Sequence, residues 1–254
     1  MAEIVVVANQ KGGVGKTTTS INLSYALACL GQEVLLVDFD PQGNAGSGLG
    51  VTVEEGGKSV YHLITKTASF EQVIRQSSNE LLDVLPSCKD LAAAEVELVN
   101  VRGRENMLKD ALAPYRGMYD YIIIDCSPSL NILTLMALTA ATDIIIPVAA
   151  QYMPLDGIAQ LMNTVGLVKK RLNKGLQIGG VIITMYDSRR SLDKGIIEAV
   201  RATFPKETFN TIIKYNSKVA EAPTDGKDIF EYAPKGSGAA EYSALAKEII
   251  EREG

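Results

Sequence analysis

Histidine and cysteine are scarce in this chain of 254 residues, which has one His and three Cys. Cys29, Cys88 and Cys126 show no C-x-x-C spacing, which argues against a zinc ribbon, a cysteine-bridged cluster or a disulfide scaffold. Long apolar runs are missing too: no stretch reaches the length of a membrane-spanning helix. The first charges, Glu3 and Lys11, flank a segment too short and too strand-like for a signal peptide. A reduced, cytoplasmic protein is the expectation. Hydrophobic residues at 46% and charged residues at 22% exclude disorder, collagen and coiled coil. The length suffices to bury a core without disulfide or metal staples.

Net charge is −5, which looks unfriendly to nucleic acid. The average hides an asymmetry. Residues 1–150 hold 10 Lys/Arg against 17 Asp/Glu, whereas residues 166–218 hold 11 against 4. A local excess of seven positive charges therefore sits in the second half.

Short Val- and Ile-rich runs alternate with longer amphipathic ones. Strands are expected at 3–9, 33–39, 81–86, 121–126, 143–148 and 177–185, and helices at 17–30, 104–115, 130–141, 155–172 and 192–204. The strands lack polar alternation, as strands buried on both faces of a parallel sheet do. Repeated βα units predict an α/β fold, a doubly wound, mostly parallel sheet with helices on both faces. No linker or low-complexity tract interrupts it, so residues 1–254 read as a single domain.

The sharpest feature is Asn9-Gln10-Lys11-Gly12-Gly13-Val14-Gly15-Lys16-Thr17-Thr18, between a strand and a helix. Glycines let successive backbone N–H groups turn into one concavity, and the helix adds its positive end. Such a nest suits a phosphate chain. Lys16 would reach the β and γ phosphates, and the Thr17 hydroxyl would bind Mg²⁺. Asp38 and Asp40 close the second strand, and Asp125 closes another buried strand. Strand ends of this kind line the ligand crevice. Asp125 would support the Mg²⁺ shell through water, and Asp38 would hold a loop by hydrogen bonds.

An ordinary P-loop would carry glycine where Gln10 stands, and it would not carry a second lysine at Lys11. The form Lys-Gly-Gly-Val-Gly-Lys-Thr-Thr resembles the deviant Walker A P-loop ATPases of the ParA/MinD family, which include nitrogenase iron protein. Further segments are similar to the short chromosomal-type ParA proteins, often called Soj. They include Pro41-Gln42-Gly43-Asn44-Ala45, Tyr119 to Asp125, Thr184-Met185-Tyr186-Asp187 and Glu221-Ala222-Pro223. That resemblance implies an ATPase using ATP and Mg²⁺, slow unless a partner stimulates it, with no arginine beside the motifs to act in cis. It implies Lys11, Lys16 and Asp40 as catalytic residues, with Lys11 crossing an ATP-dependent homodimer interface and Asp40 orienting the attacking water. Residues 11–18 and Asn216 would hold the nucleotide.

The resemblance further implies non-specific DNA binding and a ParB-like centromere-binding partner whose basic N-terminus stimulates hydrolysis, in chromosome or plasmid partition. The chain would be nucleoid-associated. Arg189 and Lys218 stand where the family carries basic residues for DNA, with Lys214, Arg190, Lys194 and Lys206 nearby. Such contacts need only phosphates, without a base code. Lys169, Lys170, Arg171 and Lys174 read instead as a solvated helix face. One departure is Ile213-Lys214-Tyr215-Asn216, where the family commonly has Ile-Pro-Arg-Asn around the adenine; it leaves the base contacts open and shifts the DNA footprint toward Lys214.

Because the motif starts at residue 10, no operator-reading domain is expected ahead of it. A MinD-like membrane organiser and a cargo-positioning ATPase are the alternatives. The tail 239–253 is amphipathic but acidic, so it should be repelled by anionic lipid and pack on the sheet. Cys29 and Cys126 read as small buried hydrophobes. His62 reads as part of a helix on the core, without a catalytic role.

Overall fold

The computed structural model describes residues 1–150 and 155–253. Its sheet has eight strands: β1 (Glu3–Val7), β2 (Val34–Phe39), β3 (Arg75–Gln76), β4 (Leu82–Leu85), β5 (Tyr121–Cys126), β6 (Asp143–Ala149), β7 (Gln177–Tyr186) and β8 (Thr208–Lys214). The order is β3-β4-β2-β5-β1-β6-β7-β8, and every pairing is parallel except β3 with β4. This is the doubly wound α/β architecture expected from the alternating runs.

Alternation along the strands explains why none of them looks amphipathic. Successive side chains point to opposite faces, and both faces are covered. Ile4, Val6, Leu35, Val37, Ile122 and Ile124 join one apolar layer, completed by the helices Ile132–Ala140, Leu155–Arg171 and Ser191–Thr203. Val5, Val7, Val34, Leu36 and Ile123 join the other, under the helices Lys16–Cys29 and Ser237–Glu253. The C-terminal helix sinks Ala239, Tyr242, Leu245, Ala246 and Ile249 into that layer. Its apolar face is thus used up by the protein itself, as the acidic tail suggested.

Several elements differ from expectation. Strand β8 was not apparent in the sequence because Thr208, Asn210, Thr211 and Lys214 interrupt its apolar residues at this outer position. The two-residue antiparallel strand β3 is too short to leave a pattern. The expected helix at 104–115 is divided into a 3₁₀ turn Arg104–Asn106, a helix Met107–Leu112 and a second 3₁₀ turn Ala113–Tyr115 containing Pro114. Proline lacks the N–H that would continue the α-helical ladder. Cys126 is buried, but Cys29 is exposed at the last position of its helix, where the apolar stripe has turned away from the sheet. His62 closes the turn at the start of the helix Val60–Ile64, its Nδ1 accepting from the Ser59 backbone N–H at 3.2 Å.

Close approach at the β7–β8 edge requires glycine. A Cβ added at Gly180 would lie 2.1 Å from Cε2 of the Phe209 ring, which is itself capped by the Arg252 guanidinium at 4.2 Å. The Gly180→Ala variant should therefore lose about 1–3 kcal/mol of stability. An unchanged urea midpoint and slope would refute this account of the edge.

Candidate functional site

The carboxyl ends of β1, β2 and β5 converge. Val7 pairs with Asp125, and Asp38 also pairs with Asp125, so three strands deliver residues from their carboxyl ends to one spot. Strand order reverses around β1, the point where a crevice opens in such sheets.

The glycine-rich loop spans this crevice. Gly13 and Gly15 have φ of 71° and 87°, which β-carbon-bearing residues rarely adopt. Asn9 anchors the loop at its entry: Nδ2 donates to the Pro147 carbonyl at 2.7 Å, and Oδ1 accepts from the Lys11 N–H at 3.0 Å. The Thr184 hydroxyl anchors its far side by donating to the Val14 carbonyl at 2.8 Å. Gly15 is the N-cap of the helix Lys16–Cys29, and no side chain caps it. The first amides of that helix therefore lie ready for an anion, one residue earlier than expected.

Lys16 is buried, and its Nζ donates to the Lys11 carbonyl at 3.0 Å, curling back over the loop. Burial lowers its pKa, while the charge of Asp125 opposes that shift. The Thr17 hydroxyl donates to Asp125 Oδ2 at 2.8 Å, and the Ser20 hydroxyl donates to Asp125 Oδ1 at 2.8 Å. Even so, burial pushes Asp125 up to about 6. Asp38 is fully buried and pushed up to about 8 by burial and by the charge of Asp125. It accepts from the Gly46 N–H at 2.8 Å and the Asp40 N–H at 3.3 Å, the loop-holding role expected of it. Asp40 lies at the crevice edge and accepts from the Gln42 N–H at 3.0 Å.

Ser20 escaped the sequence reading, although its position three residues beyond Thr17 places both hydroxyls on one helix face. Asn9 and Thr184 gain their roles only from long-range contacts with β6 and with the loop. Asn216 caps the short helix Ser217–Glu221 through Lys218 N–H, and it lines a slot shared with Gly15, Thr18, Met185 and Tyr242. The slot opens beside the glycine-rich loop.

The basic candidates divide into two places. β7 and β8 are neighbours, with Tyr186 opposite Lys214 and the Tyr215 N–H donating to the Tyr186 carbonyl at 3.0 Å. Arg189 and Arg190, which follow β7, therefore leave the same end of the sheet as Lys214, the last residue of β8, and Lys218 beyond it. Arg189 is paired with Asp187 at 2.8 Å, and Lys214 lies 3.7 Å from Glu241. Lys169, Lys170, Arg171 and Lys174 precede β7 instead, about 30 Å away at the other end of its ten residues.

A divalent cation fits this donor set. The Thr17 hydroxyl and the buried Asp125 carboxylate, with buried Asp38 opposite it on the next strand, offer oxygen donors whose crowded charge a cation would relieve.

An AAA domain family model matches residues 2–178. The chain is 48% identical over 249 residues to the sporulation initiation inhibitor protein Soj of Bacillus subtilis (strain 168), with 98% of each chain covered. It is 44% identical over 253 residues to the chromosome partitioning protein ParA of Myxococcus xanthus (strain DK1622), covering 100% of this chain and 89% of that one. Among solved structures, cobyrinic acid a,c-diamide synthase from Mycobacterium smegmatis, with a bound ATP analogue and magnesium, is similar with a TM-score of 0.86. Its sequence identity is 34%, over 97% of this chain and 93% of that one.

Asp38 supplies a pH test. The native state holds its proton more tightly than the unfolded chain does, so its contribution to stability falls as pH rises from about 4 toward 8. Asp38→Asn should flatten that decline in urea unfolding of the nucleotide-free protein. Parallel pH profiles for the two proteins would contradict a neutral Asp38.

Proposed function

This chain belongs to the Soj/ParA family of P-loop ATPases, and we propose that it is a Mg²⁺-ATP-dependent dimer that binds DNA non-specifically to partition a chromosome or plasmid. The observation that carries the reading is the uncapped helix start at Gly15, with Lys16, Thr17 and Asp125 gathered around it. In this reading residues 1–254 act as one ATPase domain.

The backbone amides of residues 12–18 hold the phosphate chain, and Lys16 gives up its bond to the Lys11 carbonyl to reach the β and γ oxygens. Thr17 and Asp125 would hold Mg²⁺, which when bound would supply positive charge for the phosphate oxygens. Asp40 orients the attacking water from the crevice edge. Lys11 reaches across the dimer interface to the second nucleotide. Asn216 and its slot take the adenine side, and the Lys214-Tyr215 pair leaves room for contacts different from the Pro-Arg form. Catalysis depends mostly on position and neutralised charge, and no arginine lies within the nucleotide motifs of the sequence to add to it. Slow turnover follows, with stimulation by a ParB-like partner.

Arg189, Lys214 and Lys218 form the DNA-facing patch. Each patch is weak alone, and dimerisation doubles it, which makes DNA binding depend on ATP. This sets the protein on the nucleoid within the cytoplasm. A MinD-like membrane role is disfavoured by the buried apolar face of Ser237–Glu253. Among the described residues, no helix is long and apolar enough to cross a membrane.

Lys16→Ala should abolish nucleotide binding, and Asp40→Ala should bind ATP but remain a persistent dimer. Size-exclusion chromatography with ATP, alongside phosphate release, reads both. Normal hydrolysis by Asp40→Ala would overturn its assignment. Arg189→Ala combined with Lys218→Ala should weaken DNA binding by about tenfold or more with dimerisation intact. Unchanged binding at low salt would remove these residues from the DNA face.

A further inference from the structure

One carboxylate holds both arginines of the loop that leaves β7. Asp187 Oδ1 accepts from the Arg189 backbone N–H at 3.0 Å and from its Nε at 2.9 Å, while Oδ2 accepts from Nη2 at 2.8 Å. Arg190 Nε approaches the same Oδ2 at 3.8 Å. The guanidinium fork of Arg189 is thereby filled by a planar anion in two-point contact, the geometry in which it would also take a phosphate.

The two partners are unequal. The Arg189 side chain is 84% exposed, whereas that of Asp187 is 13% exposed. Asp187 is fixed from both directions. Its N–H donates to Oδ2 of the buried Asp193 at 2.9 Å, and its carbonyl accepts from the Arg190 N–H at 3.0 Å. Two residues earlier, Met185 takes a left-handed φ of 56°, just after Thr184 is tied to the Val14 carbonyl. Arg189 can therefore swing away, and Asp187 stays. The arginine beside it holds the Asp187 carboxyl down to about 2, so it carries its charge at every pH of interest.

We propose that Asp187 is a built-in competitor for DNA phosphate: it occupies the Arg189 fork, and phosphate binds there only by displacing it. This rests on the reading of Arg189 as a DNA contact. An exposed pair of this kind is weak, so a polyanion can break it, and the residual carboxylate subtracts from the field of the patch. The affinity of each patch is thus held low, which leaves the ATP-driven dimer to supply the avidity.

The test is a titration of non-specific duplex DNA with the ATP-bound full chain at several salt concentrations. It compares wild type with Asp187→Asn, Arg189→Ala, their combination, and Glu198→Gln as an exposed carboxylate on the adjoining helix. Asp187→Asn should bind about three- to tenfold more tightly near 100 mM salt, with a log–log salt slope steeper by about one. The gain should fall below about twofold in the Arg189→Ala background, and Glu198→Gln should stay within about twofold of wild type. Equal dimerisation with ATP by all five proteins verifies their folding. Unchanged or weaker binding by Asp187→Asn, a gain that survives loss of Arg189, or an equal gain from Glu198→Gln would overturn the competitor. If Arg189→Ala weakens binding while Asp187→Asn does not tighten it, the competitor fails and the DNA reading stands. If wild type binds no DNA in any nucleotide state, the DNA reading fails and takes the competitor with it.

Discussion

Burial of two carboxyl groups at the carboxyl ends of β2 and β5 is the constraint around which the rest of the molecule is arranged. Asp38 and Asp125 are paired across adjacent strands with no solvent exposure, an arrangement that is costly unless protons, hydroxyls or cations answer it. Asp38 is answered by two backbone amides, and burial raises its pKa so that a proton is held more tightly. Asp125 is answered by Thr17 and Ser20, which fixes the rotation of the first helix about its axis. Once that helix is fixed, its uncapped N-terminus and the Lys16 ammonium face the same crevice. The phosphate nest and the acidic strand ends are thus one electrostatic unit, complete when a nucleotide and its cation bring charge of both signs.

The layers serve that unit. Burial of all of β2 and β5, and of β1 beyond Glu3, leaves no freedom for the strand ends to drift, because a one-residue slip would exchange the two apolar faces. The C-terminal helix matters for the same reason. It packs against the Lys16–Cys29 helix and β8, and Tyr242 lines the slot that adjoins Gly15. Residues more than 200 positions apart in the chain therefore shape one crevice.

Much of this was legible in the sequence, because the crevice is built from local pieces. Val5 to Thr18 runs strand, turn and helix without interruption, and Asp38 and Asp125 each end an apolar run. Strand β8 was not legible, since its polar residues sit where only one side of the strand has a neighbour in the sheet. Ser20 was hidden because serine in a helix has no distinctive signature; only the contact with Asp125, 105 residues away, gives it meaning. The exposure of Cys29 depended on where its helix stops, and helix ends are set by tertiary contacts more than by propensity. The Asp187–Arg189 pair was hidden because counting charges along the chain treats its members as separate.

Charge distribution joins the crevice to the proposed DNA face. Residues 187–190 and 215–218 leave neighbouring strands, so the basic excess near them gathers at the same end of the sheet as the nucleotide crevice, while the lysines at 169–174 lie at the other. In the proposed function, ATP governs DNA binding by bringing two such faces together. The most direct measurement is the affinity of the wild-type protein for non-specific DNA with ATP, with ADP and without nucleotide. Tight binding confined to the ATP state, weakening steeply with salt, is the predicted result; equal binding in all three states, or none in any, would contradict it.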